Sequence, residues 1–176
     1  MALYTGRVKF GEHGAGEGRA RFREQPVSVW SFLSDDVLVR CPRCGARARI
    51  TPGPLEAATR LVCAACGQVT RPTGRRVLAY PEGRGTVTDP VFRQPLWLQL
   101  DCRGRTLWAY NRAHLDHLDA YVGARLRERS VPSSPSASRP PYQRMTLGAK
   151  LPGWMKSAKN RGEVMRGLGR LRVLLD

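Results

Sequence analysis

The chain has 176 residues, 41% of them hydrophobic, enough for one or two small domains but not for two large cores. It carries 30 basic against 14 acidic residues, a formal net charge of +16, which predicts attraction to polyanions and a strong dependence on salt. It contains no run of 18 apolar residues, so no membrane span is expected. The N-terminal MALYTGRVKFGEHGAG lacks the apolar stretch of a secretory signal, so a cytoplasmic protein is expected, in which paired cysteines favour metal over disulfides.

Residues 1–36 form an N-terminal β-rich segment, with strand-like RVKF and RARF runs and a more apolar VSVWSFL stretch that needs a surface to pack against. Residues 37–80 hold two cysteine phrases, CPRCG and CAACG. They are flanked by alternating runs, VLVRC, RARIT, TRLVC and QVTR, that read as half-buried strands. Residues 81–130 contain PLWLQLDCRGRTLWAY, two strands joined at Arg103 and Gly104, which sets Leu100 opposite Leu107 and Leu98 opposite Ala109. A helix follows with Asn111 as N-cap and Leu115, Leu118, Val122 and Leu126 on one side. RLRER supplies the positive charge at its end.

A Pro/Ser-rich linker spans 131–142, and a basic helical tail spans 143–176. The tail carries an apolar stripe of Val164, Met165, Leu168, Leu171 and Leu175, which is expected to dock on the rest of the protein. Asn160 with Glu163 suggests a capping box, and Gly167 and Gly169 weaken the helix. The fold class expected is α+β: a small four-cysteine zinc ribbon joined to a β-β-α unit and a basic helical tail.

The cysteine pattern C-x2-C-x18-C-x2-C (Cys41, Cys44, Cys63, Cys66) has the spacing of a zinc site. Two intervening residues let both sulfurs of a knuckle face one ion. Gly45 and Gly67 supply the positive φ that such a knuckle needs. Four thiolates close the tetrahedron and leave no position for substrate, so one structural Zn²⁺ is expected. A redox pair lacks the βαβ context it needs, while spacing alone leaves a mononuclear iron site open. Arg40, Arg43, Arg47 and Arg71 are placed to balance the charge of −2 on such a cluster. A second site from Cys102, His114 and His117 competes with the simpler reading of a buried thiol and two structural histidines.

These phrases, with short strands around them, resemble the zinc ribbons of the transcription-factor-IIB type. PLWLQLDCRGRTLWAYNRAHLDHLDAYVGARLRER and LPGWMKSAKNRGEV resemble a bacterial group of uncharacterised zinc-ribbon-containing proteins. The resemblance implies a fold and a metal and no settled activity.

Charge is concentrated: residues 37–80 carry eight Arg and one Glu, and residues 139–176 carry nine basic and two acidic residues. Contact with nucleic-acid phosphates is expected from Arg75, Arg76, Lys150, Lys156, Lys159, Arg161, Arg166 and Arg170. Trp97, Trp108 and Tyr110 share a sheet face and are either a stacking platform for bases or covered core. The apolar neighbours on both strands favour core. The function expected is nucleic-acid binding, DNA or RNA, without catalysis. A protein-interaction adaptor docking onto a larger complex is the first alternative, and a small enzyme using the Cys102/His114 region is the second. No Lys occurs between residues 10 and 149, which excludes a Walker A motif there.

Overall fold

The computed structural model describes residues 21–24, 27–53, 58–73, 84–129 and 146–176. RVKF, Arg75, Arg76 and the whole Pro/Ser-rich linker lie outside them.

The architecture is mixed α+β around one continuous apolar core. Four short strands, β2 (Val37–Arg40), β3 (Arg47–Thr51), β4 (Arg60–Val62) and β5 (Val69–Thr70), form an antiparallel sheet in the order β2-β3-β4-β5. Alternation decides its faces: Val37, Val39, Ala48, Ile50 and Leu61 are buried, while Arg40, Arg47, Arg49 and Arg60 are exposed. The sheet does not stand alone. Val39 bridges Leu96, Trp97 N–H donates to the Leu38 carbonyl (2.9 Å), and Leu38 N–H donates to the Tyr110 carbonyl (2.9 Å).

The second sheet is the hairpin β6 (Leu98–Asp101) and β7 (Thr106–Ala109), with Leu98 opposite Ala109 and Leu100 opposite Leu107, the register the sequence predicts. Arg103 and Gly104 both have positive φ, +58° and +71°, the geometry of a two-residue turn that matches strand twist. Cys102 and Arg105 close the turn with reciprocal backbone hydrogen bonds of 2.7 and 3.2 Å.

Helix α1 (Arg112–Gly123) begins as expected: the Asn111 side-chain oxygen accepts from His114 N–H, 3.0 Å, and its amide donates to the Phe32 carbonyl, 2.8 Å. It ends earlier than the periodicity suggests. RLRER is not its last turn. Leu126–Arg129 forms strand β8, paired in parallel with β1 (Arg21–Glu24). The charge still serves the helix, from outside it. Arg127 donates to the carbonyls of Tyr121 (3.0 Å) and Val122 (3.4 Å), and its guanidinium lies over the Tyr121 ring. A third bond, to Lys156 O at 3.1 Å, ties α1 to the tail.

The VSVWSFL stretch is a 3₁₀ helix, Val29–Ser34, that buries Val29, Phe32 and Leu33. In the tail, α2 (Leu147–Lys150), α3 (Gly153–Lys156), a 3₁₀ turn (Ala158–Asn160) and α4 (Arg161–Val173) follow in succession. Helix α4 packs on α1, β6 and β7, with Val164, Leu168 and Leu171 buried, and Met165 and Leu175 half-buried. Each fully buried side chain contributes about 1.5–3 kcal/mol, which outweighs about 1 kcal/mol lost at each glycine.

Gly167 has a second role. A Cβ there would stand 2.7 Å from the Leu107 side chain, so the glycine is what lets α4 lie against the hairpin. The capping box does not form. Asn160 sits in helical conformation within the preceding 3₁₀ turn, and its amide donates to the Trp154 carbonyl instead, 2.9 Å. Trp154 is half-buried against the core, an anchor for the tail.

Candidate metal centre and basic surfaces

The two cysteine phrases occupy the β2–β3 and β4–β5 turns and are built as near copies. Gly45 N–H donates to the Cys41 carbonyl and Gly67 N–H to the Cys63 carbonyl, both at 2.9 Å. Cys41 N–H donates to Ala46 O (2.8 Å) and Cys63 N–H to Gln68 O (2.9 Å). Gly45 and Gly67 hold φ of +73° and +70°, which explains the glycine after each pair. Pairing of β3 with β4 sets the two knuckles side by side.

All four sulfurs lie within 4.8 Å of one another, with Cys41–Cys66 and Cys44–Cys63 both 3.7 Å apart. Tetrahedral ligands at a Zn–S distance of about 2.3 Å are about 3.8 Å apart, so these pairs already have the separation one zinc ion requires. The ionisation chemistry agrees. Burial resists charge on Cys41, but the N–H groups of Cys44 and Arg43, with hydrogen bonds from the Cys63 and Cys66 thiols, together outweigh it and pull its thiol down to about 7. At Cys44 the Ala46 N–H favours the thiolate, yet the neighbouring Cys66, burial, Cys63 and Cys41 together push the thiol up to about 12. Four thiolates at this distance need a divalent cation to coexist. The donor set is all sulfur and closed, so the site is one structural zinc centre.

Among the described residues this is the one cluster that fits a metal ion. Cys102 lies in the β6–β7 turn, and burial, together with Glu163, raises its thiol pKa. His114 lies at the open end of the same hairpin. It is 1% exposed, stacked on Phe32 at 4.6 Å, and its Nδ1 accepts from Tyr110 N–H (3.3 Å). Burial, with a smaller push from His117, drops its pKa to about 3. The turn and the open end of the hairpin are too far apart for Cys102, His114 and His117 to form a site. A cavity beside His114, lined also by Trp108, Leu151 and Met155, measures about 10 Å³ and holds no more than one water.

The aromatic pattern resolves as core. Trp108 and Tyr110 are buried and pack edge-on, 5.0 Å between centroids. Trp97 is half-buried, with the Arg40 guanidinium 5.1 Å above its ring.

The basic residues divide by environment. Lys156 extends to the carbonyls at the end of α2, Ala149 at 3.3 Å and Gly148 at 3.5 Å. Lys150 and Arg161 are half-buried. Lys159, Arg166 and Arg170 are exposed, with Arg166 also bonded to Glu163 at 2.8 Å. Arg172, a further tail cation expected to meet an anion, pairs with Asp116 of α1 at 2.7 Å. The ribbon arginines are expected as phosphate contacts only as a group, and the structure puts Arg49 and Arg60 among its exposed cations. Their place in the alternation of β3 and β4 carried that information.

No helix among the described residues is long and apolar enough to cross a membrane. No family model, curated protein or solved structure matches this chain.

Proposed function

We propose that this is a zinc-stabilised nucleic-acid-binding protein that acts without catalysis, its ribbon of the transcription-factor-IIB type and its home the reducing cytoplasm of a bacterium. The observation that carries the reading is the +16 charge combined with where the cations stand. The apolar stripe of α4 is spent on the core, which leaves Lys159, Arg166 and Arg170 facing outward. Solvent-facing cations in this excess neutralise phosphates and release counterions. Lys150, Arg161, Arg75 and Arg76 belong to the same proposal, while Lys156 contributes through the α2 end that it holds.

The test is fluorescence anisotropy with labelled oligonucleotides over a series of salt concentrations. Affinity is expected to fall steeply with salt. Changing Lys159, Arg166 and Arg170 together to Gln should flatten the log–log slope by roughly two to three units on duplex DNA, about 0.9 per phosphate contact. Absence of binding even at low salt overturns the reading and promotes a protein-interaction adaptor, which a pull-down through the tail would then identify.

A further inference from the structure

The outer face of the four-stranded ribbon sheet carries four exposed arginines. Strand register puts Arg40 directly opposite Arg47, Arg49 beside them opposite Leu38, and Arg60 opposite Thr51. All four arginines are exposed, and all four point away from the buried Val39, Ala48, Ile50 and Leu61. Like charges placed directly across an antiparallel pair destabilise it. Among the described residues one acidic partner stands on this face: Asp36, 3.5 Å from Arg49, with both side chains well exposed at 62% and 39%. A pair between two side chains this exposed is weak and leaves the guanidinium available. The metal does not account for the arrangement either. Arg40 is spread over Trp97, and Arg47 reaches the carbonyls of Leu174 and Leu175.

Among the described residues, the face has no free stacking surface. Its aromatic ring, Trp97, is covered by Arg40 and commits its N–H to the Leu174 carbonyl at 2.9 Å. Trp108 and Tyr110 are core. Single-strand binders draw much of their affinity from stacking bases on aromatic rings, and the described residues of this face offer none. Guanidinium groups on a flat sheet suit phosphate oxygens, which they can engage through two parallel N–H donors.

We infer that the outer face of the ribbon sheet, with Arg49 and Arg60 at its centre, binds the sugar-phosphate backbone of double-stranded nucleic acid without reading its sequence. This rests on the nucleic-acid reading above and assigns it a surface and a mode. Binding here is carried by charge, so affinity follows phosphate contacts rather than base identity.

The experiment measures anisotropy of two unrelated labelled 20-bp duplexes and a thymidine single strand against salt, with the zinc-loaded full chain. Wild-type protein should bind the two duplexes within about twofold of each other, and both more tightly than the single strand. An Arg49→Gln, Arg60→Gln variant should lose about 1.8 from the log–log slope, two contacts at about 0.9 each. An Arg103→Gln, Arg112→Gln variant removes the same charge from other exposed positions and should lose less than half as much. The Arg49→Lys, Arg60→Lys pair should keep the slope, which separates lost contacts from lost folding. Equal loss in both Gln variants would make binding a property of total charge and overturn the assigned face. No loss in the Arg49/Arg60 variant, while wild type binds, overturns the face and leaves the nucleic-acid reading standing. A single strand bound more tightly than duplex overturns the mode. Wild-type protein that binds none of the three overturns both.

Discussion

The guanidinium of Arg47, on the central ribbon strand β3, donates a 2.6 Å hydrogen bond to the carbonyl of Leu175, just past the end of α4. It also reaches Leu174 O at 3.3 Å, where Trp97 Nε1 donates at 2.9 Å. The last carbonyls of a helix have no partners within it. Here Leu174 and Leu175 N–H fold back onto the carbonyls of Leu171 and Arg172. The next carbonyls out, of Leu174 and Leu175, are met by a cation and an indole from the body of the protein, the cation also complementing the helix dipole. The C-terminal segment, basic and stripe-patterned in sequence, is therefore a docked element and not a free arm.

Trp97→Phe keeps the ring beneath Arg40 and removes the N–H. It should cost about 1 kcal/mol, the net worth of one hydrogen bond. Amide hydrogen exchange should speed up in the last turn of α4 and stay unchanged in α1. Equal acceleration in both helices would mean that the bond supports the whole core and not the docking of one end.

The purified protein should carry one zinc per chain by elemental analysis. Cys63 is fully buried between the strands, so Cys63→Ser should release the metal and unfold at least residues 37–70. The damage should spread, because Leu38 shares hydrogen bonds with Trp97 and Tyr110. Circular dichroism and thermal unfolding with and without a chelator check this. A zinc-free protein with unchanged melting temperature would refute the structural role.

Gly167 and Gly169 sit two residues apart in α4 and should answer the same substitution in opposite ways. A Cβ at Gly169 meets nothing within 4 Å, so Gly169→Ala gains about 1 kcal/mol of helix propensity and raises Tm. At Gly167 the new methyl meets Leu107, fully buried in the hairpin, at 2.7 Å. Overpacking costs about 1–3 kcal/mol, which cancels or exceeds the propensity gain, so Tm should not rise. Differential scanning calorimetry of the two single variants decides it.

His114 makes stability depend on pH. Its ordinary pKa is 6.5, and in the folded protein burial, followed by His117, lowers it to about 3. Between those values the unfolded chain binds a proton that the folded one refuses. This contribution is complete above about pH 6.5 and is lost as pH falls towards 3, at about 1.4 kcal/mol per pH unit. His114→Leu should be less stable at pH 7, because Tyr110 N–H loses its acceptor, yet should show a shallower decline in urea stability from pH 6.5 to 5. Loss of zinc thiolates to protons adds equally to both proteins. Parallel pH profiles would refute the assignment.

Chain-local physics was legible in the sequence. The cysteine spacing and its glycines specified the knuckles, because a metal site needs fixed ligand types at short separations. The Leu98–Ala109 and Leu100–Leu107 register followed from a two-residue turn, and Asn111 announced α1 through a bond to a residue three positions away. What tertiary structure alone decided involves partners far along the chain. Leu126–Arg129 is a strand and not a helix end because its partner is Arg21–Glu24, about a hundred residues earlier, and no local period encodes that. Asn160 gave up its cap for the Trp154 carbonyl. Gly167, a weakness by propensity, is a contact surface because Leu107 stands against it. The arginines are equivalent in composition. Folding aligned four of them on one sheet face, and strand pairing, not sequence neighbourhood, decides which charges share a surface.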